Sequence, residues 1–167
     1  MTLEEFNQLE MKVAQTELRK CCGSSQWIKQ VTAKRPYSSL EEIKNTSSDI
    51  WSALTVDDYK EAFLHHPKIG KVDELRKKFA STEHWSSQEH SAINNTSEKV
   101  LQQLAIGNEE YEKKFGYIFI VCATGKSAEE MLALLESRLL HSVESEIQIA
   151  QQEQNQITQL RLEKLIS

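Results

Sequence analysis

The chain has 167 residues, 39 % of them hydrophobic and 27 % charged. That is the balance of a globular domain long enough to bury a core without disulfide or zinc staples. A formal net charge of −5 argues against a nucleic-acid partner, because phosphate binding needs a basic stripe. No apolar run approaches the length of a membrane span. The acidic opening MTLEEFNQLE lacks the layout of a secretory signal, and KLIS is not a peroxisomal ending. Cytoplasmic residence is the expectation, and Cys21, Cys22 and Cys122, odd in number and without a CxxC pair, are expected to be reduced thiols there.

Helix starts are signalled where Ser, Thr or Asn is followed three residues later by an acid. In chain order the pairs are Asn7 with Glu10, Ser39 with Glu42, Thr55 with Asp58, Ser86 with Glu89, and Ser127 with Glu130. Stops are predicted at Gly23, at Pro36 behind the segment carrying Trp27, Ile28 and Val31, and at Gly116. Apolar residues recur at helical spacing in Val56, Tyr59 and Phe63, in Ile93, Val100 and Leu104, and in Met131, Leu134, Leu135 and Leu139. The last segment, from about Ser142 to Leu165, reads as the longest helix, with Val143, Ile147, Ala150, Gln154, Ile157 and Arg161 on one face. Tyr117 to Ala123 (YIFIVCA) is a short apolar run that pattern alone reads as a buried strand, but a lone strand in a helical chain has nothing to pair with, so a buried helix or an extended connector fits equally. The expectation is one all-α domain over residues 1–167, built of roughly seven to nine helices.

Three segments carry chemistry in their residue types. His65-His66-Pro67-Lys68-Ile69-Gly70 closes the helix predicted from Val56 to Leu64. Proline disfavours helix for the residue before it, so His66 belongs at a helix end or just past it. There it can face a cavity and exchange a proton near neutral pH, or it can simply sit against the helix dipole. Trp85-Ser86-Ser87-Gln88-Glu89-His90 reads as a capping box, and such a start also offers free backbone N–H groups to an anion. Arg161, on an inward stripe, needs a carboxylate or an anionic ligand, or else snorkels to the surface. Ala123-Thr124-Gly125-Lys126-Ser127 contains GKS but has Ile120 where a phosphate loop needs glycine. The adjacent His65 and His66 would point about 100° apart on a helix and cannot share a metal.

Taken in order, these segments resemble the family of 2-oxo-4-hydroxy-4-carboxy-5-ureidoimidazoline (OHCU) decarboxylases. The likeness runs nearly end to end: Cys22-Gly23-Ser24 with Trp27, Arg35-Pro36-Tyr37, His65 to Gly70, Trp85-Ser86 with Glu89, Tyr111 to Ala123, Gly125-Lys126-Ser127-Ala128, Arg138-Leu139, and Ile157 to Leu162. Lys68 stands where the family's HPRIG segment has arginine, Ala92 where glycine is commoner, and His90 where the family usually has glutamine after Glu89. An imidazole donates a hydrogen bond with a different shape and reach, so the last departure bears on binding geometry.

The resemblance implies a compact all-α homodimer that decarboxylates OHCU to (S)-allantoin without metal or organic cofactor, late in urate oxidation. Its pathway neighbours would be the hydroxyisourate hydrolase and the urate-oxidising enzyme. Carried over by position, His66 is the catalytic histidine and Glu89 supports it or the substrate. Pro67, the segment Ser86, Ser87, Gln88, Glu89 and His90, and the backbone of Phe119, Ile120, Val121, Cys122 and Ala123 line the pocket, with Arg161 nearby. The alternatives are an inactive homologue acting as a helical interaction module and a lyase acting on a related heterocycle.

Overall fold

A computed structural model describes residues 1–68, 70–80 and 92–167. Among these residues there are nine α-helices and no strand: α1 Leu3–Gln8, α2 Met11–Cys21, α3 Ser25–Ala33, α4 Leu40–Ser52, α5 Val56–Leu64, α6 Val72–Ala80, α7 Ala92–Phe115, α8 Ala128–Leu139 and α9 Val143–Leu165. The all-α expectation holds. α9, at 23 residues, is long but is exceeded by α7 at 24.

Local chemistry sets most of the helix starts. Ser39, Thr55 and Ser127 each accept a hydrogen bond from the backbone N–H three residues on. Asp58 and Glu130 return the bond to complete capping boxes, whereas Glu42 turns to the Ser38 backbone and hydroxyl. The expected start at Asn7 is corrected. Thr2 caps α1 in a box with Glu5, and Asn7 lies inside that helix. Its amide instead brackets Tyr37, donating to the carbonyl at 2.8 Å and accepting from the N–H at 2.9 Å. The spacing to Glu10 was coincidental, because the amide is spent on a partner thirty residues away. The Ser86–Glu89 start lies outside the described residues.

The described residues sort into two compact units. The first comprises Met1–His66, Ile120–Cys122 and Ile147–Ser167. Its centre is α3, which packs against α2, α4 and α5. Trp27, Trp51, Phe6 and Phe63 are fully buried there. Both indoles bury their apolar bodies without stranding a donor: Trp27 Nε1–H reaches the Ser47 carbonyl at 3.2 Å and Trp51 Nε1–H the Gln151 carbonyl at 2.9 Å. Glu61 on α5 ties down the first turn of α3, accepting from the Ser25 backbone at 2.9 Å and its hydroxyl at 2.6 Å. The Arg35 guanidinium closes the end of α1 on the carbonyls of Phe6 and Leu9 at 2.8 and 2.9 Å.

The second unit comprises Pro67–Phe119 and Ala123–Glu146, and α7 against α8 is its main packing. Leu135 is fully buried there. A side chain at Gly107 would press on Leu135, with a Cβ 2.7 Å from Cδ2, so glycine permits the two helices to approach. Phe115, Tyr111, Tyr117 and Phe119 form a run of tilted and edge-on rings. Within it lies a buried ion pair: Arg138 Nη2 is 2.5 Å from Glu146 Oε1, with side-chain exposures of 5 % and 0 %. The Tyr111 hydroxyl donates to the same carboxylate at 2.5 Å, and His141 Nδ1 lies 2.9 Å from its other oxygen. Burial, and then the bond to Glu146, push the Tyr111 phenol far above its ordinary range.

Candidate active site

His66 sits where the Pro67 rule places it. α5 ends at Leu64 and His65 closes it as C-cap. The N–H groups of His65 and His66 turn back to the carbonyls of Ala62 and Phe63 at 3.2 Å, so the corner is tight and His66 is half-buried. Gly23 is the reason the corner fits. A Cβ there would collide with the His65 side chain, and Gly23 has an ordinary negative φ. The glycine that reads as a helix stop is thus a space requirement for the histidine corner as well.

Helix α9 faces this corner within the first unit. The Gln154 side chain is fully buried, and its Oε1 lies 2.5 Å from His66 Nε2. The same amide donates through Nε2 to Thr158 Oγ1 at 3.2 Å, and the Thr158 hydroxyl donates to the Gln154 main-chain carbonyl at 2.9 Å. One residue earlier, Glu153 Oε2 accepts the Cys122 backbone N–H at 2.7 Å. The apolar run is neither helix nor the buried strand that its pattern alone suggests but a connector. A carboxylate of α9 takes a backbone donor that a sheet would otherwise pair.

Arg161, two turns beyond Gln154, is half-buried. Its Nη1 reaches the carbonyls of Lys20 and Cys21, both at 3.4 Å. These are the last carbonyls of α2, the negative end of that helix dipole, and a cation there is stabilising. The sequence leaves Arg161 a carboxylate, an anionic ligand or a snorkelling position at the surface, and in the structure helix carbonyls take its Nη1. Beside it, burial pushes the Cys21 thiol up to about 11 and the Cys22 thiol up to about 12, so both are protonated at neutral pH and poor nucleophiles.

The structure brings His66, Ile120, Val121, Cys122 and Arg161 into the first unit. Pro67, Phe119 and Ala123 belong to the second. The Phe119 ring lies under the Arg138 guanidinium, 4.6 Å from its carbon, and edge-on to Tyr111. The Ala123 carbonyl accepts the Lys126 N–H at 3.1 Å, and Gly125 has φ +76°. The GKS segment is therefore a turn leading into α8. Ser86, Ser87, Gln88, Glu89 and His90 lie outside the described residues. The described residues contain no cluster of His, Cys, Asp or Glu suited to a metal ion, and no helix among them is long and apolar enough to cross a membrane.

Sequence reasoning missed Gln154 and Glu153 as site residues. Gln154 carried a signal, being a polar residue on the inward face of the last helix, and a buried amide requires partners. Glu153 carried none, since an acid at that position reads as a solvated face.

Comparison with known proteins bears on the same residues. The profile described as OHCU decarboxylase matches residues 7–163. The "Uric acid degradation bifunctional protein TTL" of Arabidopsis thaliana is 40 % identical over 162 residues, covering 95 % of this chain and 49 % of the relative. The chain thus spans about half the length of that relative. A 2-oxo-4-hydroxy-4-carboxy-5-ureidoimidazoline decarboxylase of Haloferax volcanii is 24 % identical over 168 residues, covering 100 % of this chain and 97 % of that one. A crystal structure of OHCU decarboxylase in the presence of (S)-allantoin matches with a TM-score of 0.72 at 38 % identity, covering 90 % of this chain and 96 % of that one.

Proposed function

Because the chain belongs to the OHCU decarboxylase family, we propose that it decarboxylates 2-oxo-4-hydroxy-4-carboxy-5-ureidoimidazoline to (S)-allantoin and CO2. The family match over residues 7–163 carries this reading. Support comes from the half-buried His66, hydrogen-bonded to α9 and poised for acid–base work.

The substrate contains its own electron sink. One ring carbon bears both the hydroxyl and the carboxylate, and the adjacent carbon bears the ureido group and is double-bonded to nitrogen. When the bond to the carboxylate breaks, its electron pair forms the ring C=C bond and the C=N pair moves to nitrogen, which takes a proton. The product is an enol. Its hydroxyl then loses a proton while the ureido-bearing carbon gains one. Two protons enter and one leaves, neutralising the negative charge that stays on the ring as CO2 departs. The ring system thus performs the role that an electron-sink cofactor would otherwise supply, so the reaction needs no added group.

The protein's tasks are orientation and directed proton transfer. His66 takes the hydroxyl proton or delivers one to a single face of the ureido-bearing carbon, which sets the S configuration. Glu89 supports the histidine or the substrate. Pro67, the Ser86–His90 segment and the Phe119–Ala123 backbone hold the ring, and Arg161 contributes a cation at the polar rim. The chain works as a cytoplasmic homodimer, fed by the hydroxyisourate hydrolase that follows the urate-oxidising enzyme. The test is turnover of OHCU generated in situ from urate by those two enzymes. Catalytic amounts of this protein should accelerate OHCU loss well beyond spontaneous decay. A decay rate independent of added protein overturns the reading.

A further inference from the structure

We infer that Glu153 is a positioning residue of the site: its carboxylate fixes the backbone of the connector Ile120–Cys122 beside His66, so that the substrate ring is held in one orientation. The inference rests on the proposed reading of His66 and of this backbone as parts of the OHCU site.

Two consecutive residues of α9 reach the two parts. Gln154 Oε1 lies 2.5 Å from His66 Nε2, and Glu153 Oε2 accepts the Cys122 N–H at 2.7 Å. All four residues belong to the first unit. Neighbours on a helix point about 100° apart. One turn of α9 therefore places the histidine and the connector at an angle to each other, each a single hydrogen bond from the same stretch of helix.

Burial holds the run against the core, since Ile120 and Cys122 are 2 % and 7 % exposed. Apolar burial is non-directional, however, and does not by itself set the direction of a peptide plane. A hydrogen bond does, because it prefers to be nearly linear. One made to a carboxylate is short and about twice as strong as one between neutral groups. The peptide joining Val121 to Cys122 is planar and trans. Fixing the Cys122 N–H thus fixes the Val121 carbonyl as well, which points away from Glu153. The Cys122 N–H is spent on α9 and is not among the donors offered to substrate. The departing carboxylate must stand perpendicular to the substrate ring, and the proton must reach one face of it. A turned peptide plane therefore costs rate and stereochemistry together, and a misplacement of about 1 Å can cost about 100-fold.

The test compares Glu153→Leu, Glu153→Gln and Asn155→Ala in the full chain. Asn155 is the control on the same helix, where its Nδ2 donates to Ser48 Oγ on α4 at 3.2 Å. Amide exchange, read by nitrogen-15 NMR without substrate, should be slow at Cys122 in the wild type and about tenfold or more faster in Glu153→Leu. In turnover, Glu153→Leu should lower kcat about tenfold or more, and the S fraction of the allantoin it forms should fall toward one half. Glu153→Gln keeps an acceptor and should stay within about threefold of wild type on every readout. Asn155→Ala should leave the Cys122 amide and the S fraction unchanged. Glu153→Ala, read in the same way, stands in should the leucine variant not fold. Fast exchange at Cys122 in the wild type overturns the inference. So does a Glu153→Leu variant with unchanged kcat and S fraction, or an equal loss in Asn155→Ala. Because exchange is read without turnover, the expected amide pattern in a protein that fails to decarboxylate OHCU counts against the proposed reaction and not against the hold of Glu153 on the connector.

Discussion

Replacing Glu146 by Gln changes one charge at nearly constant shape, and the structure makes the cost calculable. The Glu146 carboxylate is fully buried. It accepts Arg138 Nε at 2.6 Å and the Tyr111 hydroxyl at 2.5 Å, and faces His141 Nδ1 at 2.9 Å. The Arg138 side chain is 5 % exposed, and its guanidinium also stacks over the Phe119 ring. Deleting the negative charge breaks the buried Arg138–Glu146 pair, and removing one member of such a pair costs about 3–5 kcal/mol. In a chain of this size each kcal/mol moves Tm by about 2–4 °C, so the expected drop is about 6–20 °C. The double variant Glu146→Leu with Arg138→Met removes both ions and should recover part of the loss, because well-packed apolar replacement of a buried pair is often neutral while the Tyr111 hydroxyl still loses its bond to Glu146. Urea unfolding followed by circular dichroism, analysed for midpoint and slope, gives all three free energies. A loss below about 1 kcal/mol for Glu146→Gln, the range of an exposed pair, would refute the claim that this network is desolvated.

Three further outcomes follow from single features. Gly23→Ala should push His65 out of place and shift His66 with it, costing about 1–3 kcal/mol as overpacking does and lowering kcat; unchanged stability and rate would show that the corner tolerates a Cβ. Arg161→Met should destabilise by about 0.3–1 kcal/mol through loss of the cation at the α2 carbonyls; thermal melts at low and high salt measure this, and an unaffected Tm would deny Arg161 that role. The buried thiols give a pH dependence with a defined sign. Their folded values, about 11 for Cys21 and about 12 for Cys22, lie above the ordinary value of 9.0. Their stabilisation is complete below pH 9 and is lost as pH rises toward those values, with a slope of up to about 1.4 kcal/mol per pH unit for each thiol. Urea midpoints taken across that range should fall less steeply in Cys22→Ala, and an identical slope would contradict the assignment.

What the sequence disclosed is what short-range chemistry determines. Ser39, Thr55 and Ser127 were readable as caps because donor and acceptor lie three residues apart. Asn7 shows the limit: the same spacing to Glu10 means nothing once a distant Tyr37 claims the amide. Periodicity did not assign the run Tyr117–Ala123, and one partner of its backbone, the Glu153 carboxylate that takes the Cys122 N–H, lies on the last helix. Position of the key histidine was legible, since Pro67 forces His66 past the end of α5. Its environment was not, since Gln154 is 88 residues away. Likewise Glu146 in the first turn of α9 reads as a favourable charge at a helix start, and only tertiary packing reveals it as the buried partner of Arg138.

The central claim, that His66 directs one proton to one face of a decarboxylated intermediate, is tested most directly by circular dichroism during turnover. Urate would be oxidised and hydrolysed in situ and this protein added last. The account predicts rapid growth of the (S)-allantoin signal, abolished in His66→Ala while the variant keeps its helical spectrum. Slow formation of racemic allantoin, unchanged by the wild-type protein, would contradict it, as would an undiminished S signal from the alanine variant.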